Sequence, residues 1–205
     1  MAAPEADTEE LLRRAGRGED SAVGLLLERN RKRLCQMVAV RMDPRLAVRV
    51  DPSDVVQDTL GQAAQKLPEY LRHRPLPFYP WLRKLAWQRL VDLYRHHIQA
   101  QKRSLRREKP MRMAMPDQSV AALVDRIASS QTSPSRATMR RELRQRVRSA
   151  LDRLGPDDRE LLVLVYLEQL SAAEAGDVLG ISEKAATMRH LRALDRLRRL
   201  LNHTT

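Results

Sequence analysis

Six of the seven aromatic residues in this 205-residue chain (Tyr70, Phe78, Tyr79, Trp81, Trp87 and Tyr94) fall within 25 positions, and only Tyr166 lies elsewhere. Lys and Arg stand among them and follow them. From Arg83 to Arg112 there are ten basic residues against Asp92 and Glu108, so +8 of the formal net charge of +12 sits in 30 residues. Rings and cations in one segment suit one kind of chemistry. A base pulled out of its stack gains about 1–3 kcal/mol on an aromatic face, while neighbouring cations hold its backbone. Clustered cations also gain from counterion release on a polyanion. Two plainer readings stand beside this one. The charge run could be a solvated helix face. Phe78 and Trp81 could fill a core, a Trp being able to pack on one face and contact DNA with another.

The second constellation is LSAAEAGDVLGISEKAATMRHLRALDRLRRLL, beginning at Leu170. Ser171 and Glu174 make the S-x-x-E pattern that satisfies two orphan amides at a helix start. Gly180 falls where that helix needs a left-handed exit. Only Ile181 separates it from Ser182, which can cap the next helix. Gly176 sits mid-helix, where it costs about 1 kcal/mol relative to Ala, and a close crossing of the two helices would explain it. In the second helix Ala186, His190, Leu194, Leu197 and Leu201 face inward. Lys184, Thr187, Met188, Arg189 and Arg192 lie on other faces or at its exposed start. A helix pair of this kind can present the second helix's N-terminus to a DNA major groove. The alternative is a helical hairpin with a tight turn.

Other chemistry is poorly supported. His96 and His97 lack a matching set of Cys or carboxylates, so no metal site is expected. His190, on an apolar stripe, reads as a satisfied, partly buried histidine. No glycine-rich phosphate loop, nucleophile elbow or persuasive carboxylate pair is present, so neither an enzyme nor a cofactor is expected. The one cysteine, Cys35, excludes an internal disulfide framework and fits a reducing cytoplasm. It reads as a small core residue. The run LLVLVYL is too short to span a bilayer, and the acidic start MAAPEADTEE has no apolar signal core.

The elements that must position these residues read as helices throughout. Thr8 can cap a short helix to about Gly16. Asp20 can cap a longer one, with Val23, Leu26, Leu27, Leu34, Met37 and Val38 at helical spacing, ended by Asp43-Pro44. Asp51-Pro52-Ser53 starts a helix expected to run to about Lys66 and to stop at Pro68. Its apolar stripe is Val56, Leu60, Ala63, Ala64 and Leu67. Its opposite face carries Asp54, Gln57, Asp58, Gln62 and Gln65, either solvated or docked on a basic partner. Arg72 to Pro77 is expected to be a loop. After it Leu82, Leu85, Ala86, Leu90 and Leu93 share one helix face, with Lys84, Gln88 and Arg95 on the far side. With aromatics at 3%, the core must be mostly Leu, Val, Ala and Met. The expectation is an all-α chain of two small helical domains. An N-terminal helical bundle (1–98) is joined by a basic, then Pro-punctuated flexible linker (99–138) to a C-terminal helix-turn-helix domain (139–205). The linker could hold a short helix near Ser119 to Ala128.

Three stretches, in order, carry a family resemblance. DPSDVVQDTLGQAAQKL is similar to D-x-x-D-(L/V)-V-Q-(E/D)-T-F. FYPWLRKLAWQRLVDLYRHH is similar to F-x-T-W-L-x-R-I-A-x-N-x-x-x-D-x-x-R. LDRLGPDDRELLVLVYLEQLSAAEAGDVLGISEKAATMRHLRALDRLR resembles a promoter-binding C-terminal domain. The chain thus resembles the extracytoplasmic-function class of bacterial RNA polymerase sigma factors. That resemblance implies that Asp54, Val55, Gln57, Asp58 and Thr59 grip core RNA polymerase. It implies that Arg72, His73, Arg74, Phe78, Tyr79 and Trp81 open and capture the −10 element, with Lys84, Gln88, Asp92 and Arg95 along the neighbouring duplex. It places Ser182, Glu183, Lys184, Ala185, Thr187, Met188, Arg189 and Arg192 on the −35 element. Partners would be core polymerase, promoter DNA and, if it is so regulated, an anti-sigma factor, with no membrane insertion and a monomer when free. Pro80, Trp87, Gln88, the Ala185-Ala186-Thr187 run and His190-Leu191 depart from the family pattern. A stand-alone helix-turn-helix regulator of duplex DNA is the rival reading, but it gives the aromatic segment no role.

Overall fold

A computed structural model describes residues 5–96, 122–123 and 137–202. Among the described residues all regular structure is helical. The chain divides into two units, Met1–Ala114 and Met115–Thr205. The expected linker lies almost wholly outside the described residues. Of its expected short helix only residues 122–123 are described, and they are helical.

The first unit contains α1 (Glu5–Gly16), α2 (Asp20–Arg41), the single turn α3 (Pro44–Ala47), α4 (Pro52–His73) and α5 (Phe78–Tyr94). Helix α2 packs against α1, α4 and α5, and α4 packs against α5. Leu12, Leu26, Leu34, Met37, Val56, Ala63, Leu82 and Leu90 are each at most 1% exposed and form the centre. Asp43 and Asp51 cap α3 and α4, their carboxylates accepting from Arg45 N–H (2.8 Å) and Ser53 N–H (2.7 Å), each with Pro in the first turn. Cys35 is half-buried rather than fully enclosed, and burial raises its thiol pKa.

Several expectations are corrected. Helix α1 starts at Glu5, so Thr8 lies inside it and caps nothing. Asp7 near that start favours the helix through the dipole. Pro68 does not end α4, which continues to His73. Ala64, whose carbonyl would have received a Pro68 N–H, lies on the exposed face with Pro68 itself, where water can serve it. Leu67 and Tyr70, 2% and 4% exposed, hold the helix to the core on either side. The loop is therefore shorter than Arg72 to Pro77. Arg72 and His73 belong to α4, and Arg74 closes it with φ 37° and its N–H on Tyr70 O.

The second unit contains α6 (Ala137–Arg153), α7 (Pro156–Tyr166), α8 (Ala172–Leu179) and α9 (Glu183–Asn202). Helix α9 packs on the other three. Leu151, Leu161, Leu162, Leu164, Ala186 and Ala193 are each at most 1% exposed. Arg159 reaches back from α7 to the carbonyls of Leu151 (2.9 Å) and Asp152 (2.8 Å), satisfying acceptors that the end of α6 leaves open.

Candidate functional surfaces

The polar face of α4 lies beside α5 and carries its own partners. Asp54, Gln57 and Asp58 are exposed. Asp58 accepts from Arg89 of α5 at 2.6 Å, and Gln57 Oε1 accepts from Arg31 of α2 at 2.7 Å. Exposed pairs of this kind contribute at most about 1 kcal/mol, so a stronger partner can replace them. Val55 and Thr59 do not join this surface, each being 1% exposed. They were expected to touch a partner directly. Because α4 packs against both α2 and α5, its buried arc is wider than one stripe and takes them in. Thr59's hydroxyl donates to Val55 O at 2.7 Å, which satisfies it inside the core.

Between α4 and α5 runs an open groove of about 1050 Å³ whose lining includes Asp58, Gln62, Trp87, Gln88, Asp92 and Arg95. Lys84, Gln88, Asp92 and Arg95 follow one another on the exposed side of α5, as helical spacing requires. Arg72, His73 and Arg74 are also exposed, with Arg74 pairing Glu9 of α1 at 2.8 Å.

The aromatic segment is a core. Tyr70, Phe78, Tyr79 and Trp81 are 4%, 4%, 5% and 8% exposed. The Tyr70 ring centroid lies 4.4 Å from that of Trp81 and 5.6 Å from that of Phe78, with Phe78 and Trp81 also 5.6 Å apart. Such pairs add about 0.5–1.5 kcal/mol beyond area burial. Arg33 lies over the Tyr79 ring at 3.7 Å from its centroid, a cation–π contact across α2 and α5. Phe78, Tyr79 and Trp81, expected to hold separated bases, thus offer them almost no surface. Burial pushes the Tyr70 hydroxyl pKa up to about 12, so it remains a donor. Within this segment two aromatics keep accessible surface: Trp87, in the groove, and Tyr94, both half-buried. Their seven-residue spacing, off the α5 apolar stripe, is the sequence signal that marks them.

In the second unit Ser171 and Glu174 form the reciprocal cap, Ser171 N–H donating to Glu174 Oε2 (2.9 Å) and Glu174 N–H to Ser171 Oγ (3.1 Å). Gly180 has φ 68°. A Cβ on Gly176 would stand 2.7 Å from Ile181 O. The close approach is therefore to the turn's backbone rather than to the middle of the second helix. Ser182 Oγ accepts from Ala185 N–H at 3.2 Å and caps α9.

Ser182, Glu183, Lys184, Ala185, Thr187, Met188 and Arg192 are exposed and Arg189 is half-exposed, while Ala186 and Ala193 between them are sealed. Arg196 pairs Asp158 at 2.5 Å and Arg189 approaches Asp157 at 3.9 Å, tying α9 to the start of α7. His190 is half-buried, 5.6 Å from the Tyr166 ring, and burial lowers its pKa. Its Nε2 has no hydrogen-bond partner among the described residues, so the expected satisfaction is not met at that nitrogen, and the ring packs against Tyr166.

Among the described residues no group of His, Cys, Asp and Glu could hold a metal ion, and no helix is long and apolar enough to cross a membrane.

Comparison with known proteins agrees with this geometry. The Sigma-70, region 4 family profile matches residues 150–199, from the end of α6 through most of α9. The chain is 30% identical over 192 residues to the RNA polymerase sigma factor CnrH of Cupriavidus metallidurans, spanning 94% of this chain and 93% of that one. It is 29% identical over 201 residues to the RNA polymerase sigma factor NccH of Alcaligenes xylosoxydans xylosoxydans, spanning 98% and 97%. The solved structure of CnrH in complex with the cytosolic domain of CnrY matches with a TM-score of 0.52 at 28% identity, over 97% of this chain and 99% of that one. With its capped helix-turn-helix and a similarity that runs nearly end to end, the chain belongs to the extracytoplasmic-function class of RNA polymerase sigma factors.

Proposed function

We propose that the chain is a dissociable initiation subunit that binds core RNA polymerase and carries it to promoters through −10 and −35 recognition. The observation that carries the reading is α9. Its outer side chains are open to solvent and rich in cations, while its inner face is anchored on three helices. That arrangement suits a helix entering a major groove. Residues 139–205 would find the −35 element through Ser182, Glu183, Lys184, Ala185, Thr187, Met188, Arg189 and Arg192. Residues 1–98 would hold core polymerase and open the −10 region, with 99–138 joining them.

On the first domain, Asp54, Gln57 and Asp58 offer the polymerase contact. Arg72, His73, Arg74, Lys84, Gln88, Asp92 and Arg95 lie along the DNA. Trp87 and Tyr94, not the sealed rings, supply stacking surface for separated bases. The sealed rings of Tyr70, Phe78, Tyr79 and Trp81 set the shape of the loop that leads into α5. The chain contributes recognition, and the polymerase contributes the chemistry, so no catalytic group is needed. It would act in the cytoplasm. CnrH is solved with the cytosolic domain of CnrY, and a comparable anti-sigma partner for this chain fits the proposal.

The test is transcription of genomic DNA by core polymerase with and without the chain, with RNA 5′ ends mapped. New starts sharing −10 and −35 sequences support the proposal. A chain that neither binds core nor directs any new start refutes it.

A further inference from the structure

We propose that α9 reads thymine methyl groups, and that Met188 and Leu191 are the side chains that do so. The inference rests on the reading of the second unit as the promoter-binding one, and it specifies what that unit recognises. Ala186, Ala193 and Leu197, at most 2% exposed, fix the inward direction of α9. At helical spacing the opposite arc carries Lys184, Met188, Leu191, Arg192 and Asp195. Met188 is 44% and Leu191 is 55% exposed, and the other exposed large apolar side chains among the described residues are Leu25 and Val48, in the first unit. Two large apolar groups therefore stand in the middle of the surface offered to DNA.

Hydrogen-bonding capacity on that arc is narrow. From Glu183 to Leu201 there is no Asn or Gln, the side chains that read adenine by paired bonds. Thr187 spends its hydroxyl proton on Glu183 O at 3.0 Å. Asp195 accepts from Arg199 at 2.6 Å, so Lys184 and Arg192 remain, and these suit the acceptor edge of guanine. The apolar pair has one chemical counterpart in a major groove, the C5 methyl of thymine.

The surroundings favour DNA over an apolar protein surface as the occupant. Lys184 and Arg192 flank the pair with positive charge, which complements phosphate, while Arg189 and Arg196 turn to Asp157 and Asp158 of α7. The recognised element should therefore place thymines opposite Met188 and Leu191, beside guanines read by Lys184 or Arg192.

The experiment uses the full chain with core polymerase. The holoenzyme selects its upstream element from a pool of random duplexes, and the selected duplex is remade with each thymine singly replaced by uracil. This removes one methyl and leaves every base-pair hydrogen bond. The expected result is a loss of about fourfold in affinity at one or two positions, the worth of one buried methyl. That loss should vanish in the Met188→Ala, Leu191→Ala double variant. If every uracil duplex binds like its parent while the element is still selected, this inference alone is overturned. If no upstream element is selected, the promoter-binding reading falls with it. If the double variant still forms holoenzyme and keeps the uracil effect, other side chains meet the methyls and the inference is wrong.

Discussion

The hydroxyl of Tyr70, one turn before the end of α4, donates to the carbonyl of Leu76 at 3.0 Å and ties that helix to the loop leading into α5. The ring behind it packs tilted against Trp81 and edge-on against Phe78. One residue thus joins helix, loop and aromatic cluster. The cluster works as a frame: it fixes where the chain leaves α4 at Arg74 and where the exposed edge of α5 begins.

A contrast between the two tryptophans follows. Trp81→Ala removes a core ring and should cost about 3–5 kcal/mol of unfolding free energy in the first unit. Trp87→Ala removes a half-buried ring at the groove and should cost less than half as much. It should nevertheless weaken promoter opening by about tenfold, the loss of one stacking partner. Denaturant unfolding and open-complex assays, run on both variants, check the pair of outcomes.

The helix-turn-helix was legible in the sequence because its signals are local. The caps at Ser171 and Ser182 and the left-handed exit at Gly180 depend on a few neighbouring residues. Burial of the aromatic segment was not legible. Phe78 and Trp81 have the same spacing whether they meet a base or Tyr70, and only the folded packing of α4 on α5 decides. Val55 and Thr59 were misplaced for a related reason. A single apolar stripe describes a helix with one neighbour, and α4 has several. Pro68 was read as a stop, but its missing hydrogen bond falls on the solvent side. The polar face at Asp54, Gln57 and Asp58 was visible as a pattern, whereas its bonds to Arg31 and Arg89 join residues 26 and 31 positions apart.

Gly176→Ala should destabilise the second unit. Its new methyl would meet the Ile181 carbonyl at 2.7 Å, an overpacking cost of about 1–3 kcal/mol that exceeds the helix propensity gained. Gly24→Ala, in the second turn of α2 with nothing within 4 Å of its added carbon, should instead stabilise the first unit by about 0.5–1 kcal/mol. Thermal unfolding of the two variants checks the opposite signs, and −35 binding should fall only in the first.

The second unit should lose stability in mild acid. Burial holds the His190 pKa below its ordinary value of 6.5, so the unfolded chain takes up this proton more readily than the folded one. Stability is then full above about pH 6.5 and declines as pH falls from there through the folded value. In His190→Gln that part of the decline should disappear. Unfolding midpoints across this pH range, measured on both proteins, provide the check.

Charge changes should separate the two halves. Lys184→Ala with Arg189→Ala should weaken promoter binding about tenfold or more, by removing cations from the DNA face, and leave core polymerase binding intact. Asp54→Lys with Asp58→Lys should do the reverse. Equal loss of both activities in both variants would count against the division of labour. Co-purification with core and promoter binding by the isolated chain and the holoenzyme provide the readouts.

The central claim is that this chain lets core polymerase find and part a duplex it cannot open alone. Single-strand-specific oxidation of thymines at a mapped start, with core, chain or both, measures that directly. Reactive thymines around the −10 region only when both are present is the predicted result. The same reactivity with core alone, or none with both bound, would contradict it.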